Sequence, residues 1–111
     1  MPRYLISFDA GAMDHIPDED LPAVDKAAHE VVEEAMTAGV WVFGGGLEEH
    51  AISVGTDGTV AESSNPKTVG GFCVVDVPSR EEALKWAAKM AGACRCAQEV
   101  REFMPDPAVG N

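Results

Sequence analysis

His29 is the side chain in this sequence best suited to chemistry, because a neutral imidazole exchanges protons near physiological pH. At 100° per residue on a helix it falls off the main apolar stripe, beside Asp25, Val32 and Met36. Asp25 and Glu33 stand four residues to either side, where each is placed to orient or charge the ring. That is an acid/base centre next to a secondary apolar patch. The same spacing also suits a solvated histidine in a charged row, and both readings stand at this stage. Asp9 closes the first strand-like run, where it either faces His29 across a cleft or begins a turn. His15 and His50 fall in loop-like sequence and read as exposed, with His50, after Glu48 and Glu49, placed for a cleft rim.

Other residue groups carry less chemistry. Three cysteines make no closed disulfide framework. Cys73, inside an apolar run, reads as a small core residue. Cys94 and Cys96 share one face if their segment is extended. No second pair accompanies them as a structural zinc site requires, so no metal is expected. Three cysteines at these spacings also cannot hold a four-cysteine iron–sulfur cluster, which excludes an electron-transfer ferredoxin. Gly44-Gly45-Gly46 lacks the capped helix and Lys-Ser/Thr of a phosphate loop and reads as close packing or a bulge. Trp41 and Trp86 suit core or dimer contacts, and Trp41 is also carried as a ligand contact.

These residues need elements to position them. Residues 3–8 read as a first strand, and 9–17, with Gly, Asp, His and Pro, as a loop. A helix follows over 20–38, its apolar stripe made by Leu21, Val24, Ala28, Val31 and Ala35 and its end marked by Gly39. Residues 40–43 form a second strand. Asp57-Gly58 between 51–54 and 59–61 signals a hairpin, and 62–67 a polar loop. Residues 72–77 are almost uninterrupted β-branched or aromatic sequence, an inner strand ended by Pro78. Ser79 and Glu82 make a capping box for a helix to about residue 90. Residues 97–103 read as a last strand and 104–111 as a C-terminal tail, leaving 1–103 as one domain.

That order predicts a ferredoxin-like α+β unit, βαββαβ with an extra hairpin, whose helices cover one sheet face. Tyr4-Leu5-Ile6, Trp41-Val42-Phe43 and Val74-Val75 are apolar on both alternations, so the other face also needs cover. A second copy of the chain is the expected cover.

At 111 residues, 46% apolar and 24% charged, the chain is an ordinary globular length and composition. No window approaches the ~18 uncharged apolar residues of a membrane helix. Met1-Pro2-Arg3 leads straight into a strand with no secretory apolar region, so a cytoplasmic protein is expected. A net charge of −11, from 8 basic and 19 acidic side chains, argues against nucleic acid as a partner.

Val69-Gly70-Gly71-Phe72, then Val75-Asp76-Val77-Pro78-Ser79 and Glu82-Ala83-Leu84-Lys85-Trp86-Ala87, resemble the YCII-related (DGPF-domain) family. Tyr4-Leu5-Ile6, Ala38-Gly39-Val40, Gly44-Gly45-Gly46-Leu47 and Asp57-Gly58 fit it too. The resemblance implies a subunit that pairs into a dimeric α/β barrel with a cleft between helix and sheet. It also implies a histidine on the first helix, close to where His29 falls, and an aspartate after the tryptophan of the second helix. Here Ala87 to Met90 carry no carboxylate, and Glu62-Ser63-Ser64-Asn65-Pro66-Lys67 replaces the Asp-Gly-Pro-Phe motif. The expected function is therefore a homodimer that binds a small organic molecule, with His29 and Asp9 as the acid/base pair and Asp25, Met36 and Trp41 as ligand contacts. No cofactor is expected. The alternative is a non-catalytic ligand-binding or protein-interaction module on the same barrel.

Overall fold

In the first strand, β1 (Arg3–Asp9), alternate residues face opposite ways, and Tyr4 and Ile6 are buried. The computed structural model describes residues 2–63 and 68–111. After β1 come α1 (Leu21–Thr37), β2 (Trp41–Gly46), β3 (Ile52–Val54), β4 (Val60–Glu62), β5 (Val69–Asp76), α2 (Arg80–Cys94) and β6 (Glu99–Glu102). Four strands form an antiparallel sheet in the order β2-β5-β1-β6, and β3 and β4 form a separate hairpin. This is the expected α+β ferredoxin-like order with an added hairpin.

Local chemistry sets most boundaries. Pro22 lies in the first turn of α1, where its missing N–H costs nothing, and Gly39, at φ +75°, turns the chain out of the helix. Ser79 Oγ accepts the Glu82 N–H at 3.3 Å and caps α2, while the Glu82 carboxylate accepts from Lys85 Nζ at 3.1 Å. In the hairpin, Asp57 Oδ1 accepts the Thr59 N–H at 2.9 Å, and Gly58 takes φ +86°.

Some boundaries differ from expectation. α2 runs to Cys94 rather than to about residue 90, since Ala91 and Ala93 favour a helix and Gly92 only weakens it. It stops at Arg95, which adopts the left-handed conformation at φ 56°. Cys94 and Cys96 therefore do not share a face of an extended segment: one closes the helix and the other follows the turn. The Gly-Gly of β5 lies inside the strand, which begins at Val69, and the triple glycine belongs to β2, just after a register shift between Trp41 and Phe43. The last strand is shorter than 97–103. Glu62, expected in a polar loop, ends β4, and residues 64–67 of that loop lie outside the described residues. Residues 104–111 are exposed and hold a short 3-10 turn at Pro107–Val109, capped by Asp106.

The core lies between the sheet and α2. Ala83, fully buried, and Ala87 pack with Tyr4, Ile6, Cys73, Val75 and Val77, and Trp41, Trp86, Met90 and Val100 pack around them half-buried. α1 buries only Val24 and Ala35. Two ion pairs tie the helices together, Lys89 to Glu34 at 3.2 Å and Arg95 to Asp20 at 2.9 Å. On the far sheet face Leu5, Phe72 and Val74 are half-buried, and Phe43, 63% exposed, tilts against Phe72 with ring centroids 6.0 Å apart. Among the described residues no helix is long and apolar enough to cross a membrane.

Candidate functional site

α1 buries only Val24 and Ala35, and a cleft of about 590 Å³ opens between it and the sheet. Its wall on α1 is Ala28 and Val32, with Met36 further along, and its floor is Ile6 and Phe8 of β1, Cys73 of β5 and the glycines of β2. Trp41 lines one side, and Met90, Cys94 and Gln98 lie toward the end of α2. Met13, Leu21, Asp25 and His29 also line it. The interior is apolar apart from two buried thiols, and the His and Asp side chains are at the mouth, where His29 and Asp25 keep 70% and 75% of their side chains exposed.

The His29 ring is held in one orientation. Its Nδ1 lies 2.8 Å from the backbone carbonyl oxygen of Asp25. A carbonyl only accepts, so Nδ1–H donates, and in the neutral ring the lone pair sits on Nε2. The Asp25 carboxylate stands 3.5 Å from the same Nδ1. Of the two flanking carboxylates it is Asp25, not Glu33, that comes within ion-pair range.

The cleft brings together His29, Asp25, Met36 and Trp41. Asp9 is not among its lining residues. It ends β1 exposed, and its backbone carbonyl accepts the Ala12 N–H at 3.1 Å to begin a turn. His15 is exposed and does not line the cleft. His50 lines a separate hollow of about 440 Å³ with Leu47 and Val69, its Nε2 3.8 Å from Glu62, so it is no part of the main rim.

Phe8, Met13, Cys94 and Gln98 line the cleft without having been singled out for it. For Phe8 the signal was present, since it shares the alternation of Tyr4 and Ile6. For Cys94 and Gln98, α2 had first to reach Cys94, and Met13 lies in the irregular loop before α1, whose path no periodicity fixes. The thiols are chemically quiet. Burial pushes Cys73 up to about 11, and burial, with the neighbouring Cys96, raises Cys94. Burial raises Cys96 as well. All three are free and protonated at neutral pH, weak nucleophiles that line or flank the cleft. Among the described residues no three His, Cys, Asp or Glu side chains gather as a metal would require.

No family model matches the chain, and no curated protein matches its sequence. A solved structure does match in shape. The 5-chloro-2-hydroxyhydroquinone dehydrochlorinase (TftG) from Burkholderia phenoliruptrix AC1100, in complex with 2,5-dihydroxybenzoquinone, aligns over 97% of this chain and 98% of its own, with a TM-score of 0.54 and 13% identity. The two chains share a fold.

Proposed function

We propose that this chain is a YCII-related protein that binds a small organic molecule in the α1 cleft and moves a proton with His29, without a metal. The observation that carries the reading is the His29 Nδ1–H bond to the Asp25 carbonyl, which leaves the Nε2 lone pair for a ligand on a residue at the mouth of an apolar cleft. A ligand with an apolar body and an acidic O–H or C–H fits that layout: the body displaces water from the cleft, and Nε2 takes the proton. The resulting imidazolium keeps its Nδ1–H bond and gains the Asp25 carboxylate as counter-charge. Asp25 thus takes the carboxylate role, rather than Asp9. The fold neighbour supports the reading, since it is a dehydrochlorinase with a small hydroxylated ring bound.

His29→Ala tests it, because an exposed side chain can be removed without disturbing the core. In a thermal-shift panel of small phenols, quinols and organic acids, the parent should be stabilised by some members and the variant by none of them. Identical hits for both proteins would remove His29 from the site. A bound molecule recovered unchanged after incubation would favour the non-catalytic module.

The assembly proposed is a homodimer joined through the far sheet face, where Phe43, Phe72, Leu5 and Val74 offer apolar cover. Sedimentation should give a dimer at micromolar concentration, and a stable monomer would overturn that assembly.

A further inference from the structure

The floor of the cleft is bare along one line. Gly44 and Gly46 of β2 pair with Cys73 and Gly71 of β5, on the alternation that faces the helices. Two of these glycines are required by packing. A Cβ on Gly44 would stand 2.6 Å from the Cys73 backbone, and a Cβ on Gly71 would stand 2.6 Å from Cζ of Phe8, whose ring tip covers that glycine. Gly46 is different. A Cβ there meets nothing within 4 Å, and its backbone is outside the left-handed region that favours glycine. Glycine weakens a strand through entropy and lost packing, and neither sterics nor backbone conformation demands it at 46. What a side chain there would do is enter the cleft that Gly46 lines.

The surroundings indicate what uses that space. Phe8 and Trp41, on the helix-facing alternation, present rings to the cleft, and Met13, Met36 and Met90 line it with thioether side chains. Rings favour offset or edge-on partners, and thioethers favour ring edges. A puckered aliphatic ring gains only the burial common to any apolar body.

We propose that Gly46 sets the size and shape limit of the cleft, leaving room over bare strand for a flat aromatic or quinoid ring beside Phe8. This rests on the small-molecule reading above and narrows it to a substrate class. The ring's hydroxyl is the group that reaches His29.

The test is an NMR titration of the parent, Gly46→Val and Gly46→Ala with hydroquinone, kept reduced, and with its saturated counterpart cyclohexanediol. The parent should bind hydroquinone at least about tenfold more tightly than cyclohexanediol. Gly46→Val should weaken hydroquinone binding by about tenfold or more while keeping the dispersed spectrum of a folded chain. Gly46→Ala should fall between, and it carries the test if the valine variant does not fold. Unchanged binding in the glycine variants overturns the role of Gly46. Equal affinity for the two probes overturns the flat-ring preference and leaves the small-molecule reading standing. Binding of neither probe overturns the inference, while the broader reading is judged by the His29→Ala panel.

Discussion

Helix α2 meets the sheet through Ala83 and Ala87, side chains small enough for Tyr4, Ile6, Val75 and Val77 to close around them, whereas α1 buries only Val24 and Ala35, one toward each end, and neither joins that core. Both helices join strands of the same sheet, and they cover it with opposite results. Where alanine faces the sheet at successive turns, helix and strands approach until nothing more fits. Where a helix buries only two residues three turns apart, apolar wall is left between it and the strands. The sealed half supplies stability; the cleft half has apolar surface left for a ligand to bury. The site grows where packing was left unfinished.

The sharpest way to break this contrast is to enlarge one alanine in each half. Ala83→Leu forces a branched side chain into a filled core and should cost about 1–3 kcal/mol or prevent folding. Ala28→Leu, whose new atoms enter the cleft, should stay within about 1 kcal/mol of the parent while blocking ligands. Urea denaturation checks both, and equal losses would mean that the two halves are packed alike.

Cys73 belongs to both halves, as a core residue that also lines the cleft. Its folded value is raised from 9.0 to about 11, so unfolded chains ionise first as pH climbs. The associated stability is complete below pH 9 and is lost between about 9 and 11, at up to roughly 1.4 kcal/mol per pH unit for this thiol. Denaturation across that range should show the decline, and Cys73→Ala should make it shallower without abolishing it, because Cys94 is raised too. A smaller effect concerns access. A thiol reagent should modify the half-buried Cys96 before buried Cys73 and Cys94, with ligand slowing Cys94 if the cleft is its route of exposure.

The smallest effect belongs to Arg95. Arg95→Gly removes the strain of a non-glycine residue at φ 56°, worth about 1 kcal/mol, and loses an exposed ion pair worth roughly 0–1 kcal/mol. The net change should be under about 1 kcal/mol. Asp20→Asn, which loses only the pair, should destabilise slightly, and a rise in melting temperature would assign the pair no value.

Much of the sealed half was legible in the sequence, because short-range rules decide it. Ser79 and Glu82 announce a cap, Pro78 a strand end, and the run through Val74 and Val75 an inner strand. The cleft half was legible only in outline. Periodicity placed His29 beside Asp25 and Met36, and the structure puts all three on one cleft. It could not say that a cleft opens between α1 and the sheet, since that depends on what other strands present beneath it. For Asp9 the sequence leaves two places open, a cleft or a turn; a strand end lies near many things, and only the tertiary path shows that this one begins a turn outside the cleft lining. The end of α2 was read short because a glycine inside an alanine-rich turn weakens a helix without ending it. That error hid Cys94 from the cleft.

The clasp between Asp20 and Arg95 has a kinetic consequence. The two residues stand 75 positions apart, and a loop of that length is costly to close before the sheet exists. A pair of that separation is expected to meet only after both helices have docked. Cutting the clasp should therefore leave the folding rate unchanged and show itself as faster unfolding in stopped-flow kinetics.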